Sequence, residues 1–282
     1  MPTTADPLAA LGALPGVADS VDSVRKTVDR VYGHRVMRRR SSEVTAEAVL
    51  RGARASAALG GADWPLEEVR RRSDFGADAQ ARTVGAALRV TAEAGQLLDV
   101  WRQSPLRVLA RLHLVAAGGE VPDPASVRSA GDRVGRPRLA GEPVTEPLLE
   151  GLELPDAAEV SARLDGLAQL IAAGTSASAL VTGAVVHGEL MVLRPFGTYN
   201  GLVARAAERI VLIGGGLDPK SICPAEVGHA EQGADAYVRA LRGYVSGTPE
   251  GMAQWIAHCG RAVELGARES TAVCEALQRG AA

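Results

Sequence analysis

Aromatic residues are scarce: three Trp, four Tyr and two Phe, or 3% of 282 residues. Stacking platforms for single-stranded nucleic acid need more, so nucleic acid is not an expected partner. Charge of one sign is also missing. With 31 basic and 33 acidic residues the net charge is −2, which argues against a nucleic-acid coat or a polybasic membrane binder. No apolar run approaches the roughly 20 residues that span a bilayer. Cysteine occurs three times, at 223, 259 and 274, with no CxxC, so neither a disulfide framework nor a zinc motif is indicated. The histidines are scattered and no HExxH occurs, so no metal site is expected from spacing. Among the basic residues only Lys26 and Lys220 are lysines. With abundant Ala and Gly, this reads as codon bias of a GC-rich bacterial genome. The start, MPTTADPLAALGALPG, lacks the basic and long apolar regions of a signal peptide, and a cytoplasmic location is the expectation.

What is present is helical periodicity, with 46% hydrophobic residues and almost no strand-like alternation. An all-α fold is therefore expected. Residues 1–44 read as a flexible basic arm: Ala, Pro and Gly dominate its first 20 residues, and RVMRRR (35–40) reads as a solvated charged stretch before a helix. Residues 45–125 read as an N-terminal helical region and 126–282 as a helical core, the whole forming one unit. Helices are expected from Ser41 to Gly60-Gly61, over about 77–102, from Ser104-Pro105 to Gly118-Gly119, and from Asp123-Pro124. Further helices are expected at about 156–173, 177–193 and 200–214, with two or three more over 224–279. Residues 135–155 carry five prolines and read as a long loop or a short hairpin.

The most informative segment is HGELMVLRPFGTYNGLVARAAERIVL, residues 187–212. A helix that is apolar almost all round ends at a turn rich in Pro, Gly, Thr and Asn, and a new helix begins. Such a turn offers free backbone N–H groups and the positive end of a helix dipole, a ready anion site. Arg194 and Arg205 flank that end, and no acidic residue lies between 190 and 207. These features predict weak phosphate binding.

RPFGTYNGLVAR, residues 194–205, resembles the HPFx(D/E)GN(G)(K/R)xxR signature of the Fic (Fido) family. Pro195, Phe196, Asn200, Gly201 and Arg205 match in register. Residues 53–69 (ARASAALGGADWPLEEV) resemble the ASSxIEGNxxTLxEV start of the class with an N-terminal inhibitory helix. Residues 109–119 (LARLHLVAAGG) resemble its LHxxLLxG helix. The resemblance implies a Fic-like helical bundle with a helical N-terminal extension, and allows a short β-hairpin flap within 135–150.

It implies more through its departures. Active Fic enzymes use the motif histidine to deprotonate a target hydroxyl that attacks the α-phosphate of a nucleotide. Arg194 stands there and cannot accept a proton at neutral pH. Thr198 replaces the magnesium-holding acid, Tyr199 the loop glycine, Leu202 the first arginine, and Leu59 the inhibitory glutamate. The resemblance thus implies a degenerate Fic protein with no catalytic residues. It would act as a phosphate- or nucleotide-binding module or as a protein-interaction module with an unidentified partner. Arg194, Asn200, Gly201 and Arg205 are the candidate cofactor-binding residues. Weak ATP, ADP or phosphate binding is the cofactor expectation, and magnesium is not expected. Two alternatives stay open: a transferase with altered chemistry using His187 as base, and a helical scaffold with an empty site. Each residue also has a plain structural reading. Asn200 would cap the helix, Arg205 would pair with Glu208 one turn on, His187 would be a satisfied core histidine, and Phe196 would plug the core.

Overall fold

A computed structural model describes residues 6–118 and 133–280. The helix expected from Asp123-Pro124 and the boundary at 125 lie outside the described residues. The elements are α1 (Pro7–Gly12), α2 (Val17–Tyr32), α3 (Ser41–Leu59), α4 (Leu66–Arg71), α5 (Ala79–Ala94), α6 (Leu98–Trp101) and α7 (Pro105–Ala117). They continue as α8 (Ala157–Ala173), α9 (Ala179–Leu193), α10 (Asn200–Gly214), α11 (Ala225–Gln232), α12 (Ala234–Ser246) and α13 (Pro249–Gln278). No strand occurs among the described residues. The all-α expectation holds.

At the centre, α9 and α10 pack side by side. Every residue of α10 from Asn200 to Leu212 is buried, which no surface helix could sustain. Around this pair stand α3, α5 and α7 on one side and α13 on the other. The apolar character of α9 follows from that central place, with Leu180, Val181, Ala184, Val186, Leu190, Met191 and Leu193 all in the core.

The expected flexible arm is not an arm over its described residues. Val17, Val24, Val28 and Val31 recur at helical spacing, are buried, and seat α2 against α13. Gly260 permits the approach, since a Cβ there would lie 2.5 Å from Ser20 Oγ. Asp6 caps α1 and accepts hydrogen bonds from Thr175 and Ser176 before α9. The glycine and proline that suggested looseness are confined to short connections. In the basic stretch, Arg35–Arg38 forms a 3-10 turn that buries Val36 and Met37 and leaves Arg35, Arg38 and Arg39 in solvent.

Two further expectations change. The pattern over 77–102 divides after Ala94, where Gly95 closes α5. The optional hairpin within 135–150 is not formed. Its polar backbone is spent on the turn before α10: Arg138 N–H donates to Pro195 O at 2.7 Å and Thr145 N–H to Gly197 O at 2.8 Å. Pro147–Leu149 closes the segment as a 3-10 turn.

Candidate functional site at the turn before α10

The turn joining α9 to α10 is held in an unusual backbone path. Arg194 (φ 43°) and Tyr199 (φ 59°) both occupy the left-handed region, which glycine adopts at no steric cost and other residues at about 1 kcal/mol or more. Tyr199 does so at the position where the resembled signature has glycine. Asn200 secures the bend between them. Its Oδ1 accepts from Phe196 N–H and its Nδ2 donates to Phe196 O, both at 2.8 Å. The expectation that Asn200 caps α10 is therefore corrected, because its amide is spent across the turn and Tyr199 occupies the cap position. Phe196 is buried as expected and stacks on His113 of α7, ring centroids 4.1 Å apart. The 109–119 and 194–205 segments therefore meet.

The N-terminus of α10 is already supplied with an anion. Glu146 Oε2 accepts the Gly201 N–H at 2.8 Å. Gly201 makes room for this: a Cβ there would stand 3.0 Å from Arg205 Nη1 and 3.1 Å from Glu146 Oε1. Burial raises the Glu146 pKa, and Arg205, the Gly201 N–H and Arg194 pull it back only in part. Carboxylate and helix end thus satisfy each other much as a bound phosphate would. Reading only residues 190–207 missed this, since Glu146 lies 55 residues upstream.

The two arginines are committed elsewhere. Arg205 Nε donates to Ser56 Oγ at 2.8 Å and its Nη2 to Ser56 O at 3.0 Å, leaving Nη1 buried without a hydrogen-bond partner. The segment that resembles the inhibitory-helix start reaches Arg205 through Ser56 of α3. The expected pairing of Arg205 with Glu208 is absent. Arg194 donates to Leu152 O and Glu153 O, and Arg138 Nε donates to Arg194 O. The Arg194 guanidinium therefore ties the loop to the end of α9. Burial and the neighbouring Arg138 lower its pKa.

A cleft of about 420 Å³ opens beside this turn, lined by Gly60–Ala62, the first turn of α5, Thr145–Pro147, Thr198, Tyr199, Leu202 and Arg205. Glu146, Tyr199 and Arg205 are its polar side chains at the helix end. His187 does not face it. That histidine is fully buried, with Nδ1 2.8 Å from Glu208 and Nε2 against the Tyr237 hydroxyl. Glu208 also meets His229 Nε2 at 3.1 Å. Burial opposes ionisation of Glu208, but His187 and His229 outweigh it and hold its carboxyl below the usual range. Burial in turn lowers the pKa of His187. The expectation of a satisfied core histidine thus describes His187. The third buried charge of α10, Arg209, forms a two-pronged pair with Glu226 at 2.7 and 2.8 Å.

The central buried helix pair and the turn it brackets belong to a fold class that solved structures define: it is the Fic fold. No protein-family model and no curated protein sequence matches the chain. The solved structures carry the likeness. A Fic family protein from Desulfovibrio desulfuricans superposes with TM-score 0.70 and 20% identity, over 92% of this chain and 75% of that one. A Fic domain containing signaling protein from Bacteroides thetaiotaomicron gives 0.61 and 12%, over 91% and 98%. Fic-1 from C. elegans gives 0.58 and 15%, over 90% and 71%. This chain is Fic-like in fold, and no helix among its described residues is long and apolar enough to cross a membrane.

Proposed function

We propose that this chain is a Fic-like protein without AMP-transfer activity, acting by binding, and that its nucleotide cradle is held shut from within by Glu146. One observation carries this reading: the Glu146 carboxylate accepts the Gly201 N–H in the first turn of α10, a group a phosphate would need. Gly201 and Arg205 are the parts that would take a phosphate of ATP or ADP once Glu146 withdrew. Arg194 and Asn200 maintain the shape of the turn. With Arg194 in place of the proton acceptor and Thr198 in place of the metal-holding acid, the one carboxylate lining the cleft among the described residues is that of Glu146, and it is spent on the Gly201 N–H instead of serving as a general base or an anchor for magnesium. Losing the base alone forfeits about 10²–10⁴-fold in rate. A transferase using His187 finds no support, because that imidazole is sealed in the core.

The test is incubation of the full chain with labelled ATP and magnesium, alone and with a mixture of proteins. No transferred label is expected. Label that disappears in Tyr199→Trp, which narrows the cleft, would overturn the proposal.

A further inference from the structure

His187, Glu208, His229 and Cys259 are far apart in sequence and come from four different helices, α9, α10, α11 and α13. Their ligand-type atoms all lie within 4.8 Å of one another, and all four residues are buried. We infer that this cluster is a structural metal site, with zinc its natural occupant, fastening the four helices at the centre of the bundle.

The donor chemistry is what zinc takes: two imidazoles, one carboxylate and one thiolate. A tetrahedron at bond lengths of about 2.0–2.3 Å has edges of about 3.3–3.8 Å, so closure from the observed spacing requires side-chain adjustments of an ångström or less. Each imidazole is already oriented by a partner on its far nitrogen. With His187 Nδ1 ligating, Nε2–H donates to the Tyr237 hydroxyl. With His229 Nε2 ligating, Nδ1–H donates to His258 Nε2, 3.3 Å away. Such outer partners select the tautomer that metal-binding histidines need.

Charge and unmet bonding point the same way. Glu208 is 1% exposed and its Oε1 has no hydrogen-bond partner, nor does His187 Nδ1 meet hydrogen-bond geometry despite its 2.8 Å approach to the carboxylate. Buried polar atoms are rarely left this way. Zinc, the Glu208 carboxylate and the Cys259 thiolate sum to zero charge with two neutral imidazoles. Binding displaces the Cys259 thiol proton to solvent together with any proton shared between Glu208 and an imidazole. Trp255, Tyr237 and His258 wall the cluster and keep water out. Arg205, Arg209 and Glu226 belong to the neighbouring polar layer of α10 and α11 and are not ligands.

The experiment uses the full chain purified without chelator. Elemental analysis is expected to find roughly one zinc per chain, and zinc-edge X-ray absorption a shell of one sulfur with nitrogen and oxygen. Zinc chloride returned to chelator-stripped protein should raise its unfolding midpoint. Cys259→Ser, which preserves size, should lose the sulfur scatterer and bind zinc at least about tenfold more weakly. Glu208→Gln should weaken it similarly. Bound zinc with no sulfur in its shell would overturn the inference, as would wild-type protein that neither retains zinc nor is stabilised by it. Should the variants fail to fold, the wild-type shell and midpoint decide alone.

Discussion

The same substitution, glycine to alanine, has opposite consequences at two helical positions here, and the difference follows from what a Cβ would meet. Gly228 lies in α11 where that helix crosses α13. A Cβ there would stand 2.0 Å from Ala262 O, 2.5 Å from its Cα and 2.6 Å from its carbonyl carbon. All three are backbone atoms, so no rotamer change relieves the overlap and the helices must part by about 1 Å. Overpacking of this kind costs about 1–3 kcal/mol or more, and alanine recovers only about 0.5–1 kcal/mol of helix propensity. A net loss of about 2 kcal/mol, the upper part of that range, is expected at Gly228, because His229 follows it and would be drawn away from Glu208. Gly166 sits mid-helix in α8, exposed, with nothing within 4 Å of its Cβ position. There alanine should stabilise by about 0.5–1 kcal/mol. At about 2 °C per kcal/mol for a chain of this size, Gly228→Ala should lower the midpoint by about 4 °C and Gly166→Ala raise it by about 1–2 °C. Thermal unfolding followed by far-ultraviolet circular dichroism measures both. A Gly228→Ala protein as stable as wild type would refute the packing described between α11 and α13.

A pH effect is expected at His113. Its Nδ1 accepts the Gly135 N–H at 3.0 Å, and burial lowers its pKa from 6.5 to about 4. Between those values the unfolded chain binds the proton and the folded chain does not. Stability is therefore full above about pH 6.5 and falls as pH drops towards 4, by about 3 kcal/mol from this residue. His258 acts in the same direction, and His113→Gln should flatten part of the slope in urea titrations across that window; an unchanged slope would refute the assignment. Arg205→Ala should cost about 2–3 kcal/mol of folding stability, since it breaks two charge-assisted bonds to Ser56 inside the core. Urea unfolding would measure it, and a neutral result would show Arg205 free to serve a ligand.

Much of this fold is legible in the sequence because the helical signals are local. The all-apolar run of α9, the Ser104-Pro105 start of α7 and the double glycine ending α3 each depend on neighbours a few residues away. The turn at 194–205 is legible for the same reason. Composition misled at the N-terminus, where valines spaced along α2 outweigh the surrounding Gly and Pro. The site was less legible because its deciding contacts span long separations. Glu146 reaches Gly201 across 55 residues, and Ser56 reaches Arg205 across 149. Glu208 was expected to pair with Arg205 on its own helix, but faces His187 and His229 from two others. The metal-type cluster has no sequence spacing at all, since each member comes from a separate helix. Its only forewarning was the presence of polar, metal-binding side chains such as His187 within strongly apolar helices.

The direct test of the closed cradle is calorimetric titration of inorganic phosphate into wild type and into Glu146→Gln. The variant keeps the side chain's shape and removes the charge that competes for the end of α10. That charge is worth about 1–2 kcal/mol at a partly buried helix terminus, so phosphate should bind the variant about 5- to 30-fold more tightly. The gain should shrink as salt is added. Equal phosphate heats for both proteins, or tighter binding by wild type, would contradict the closure of this site by Glu146.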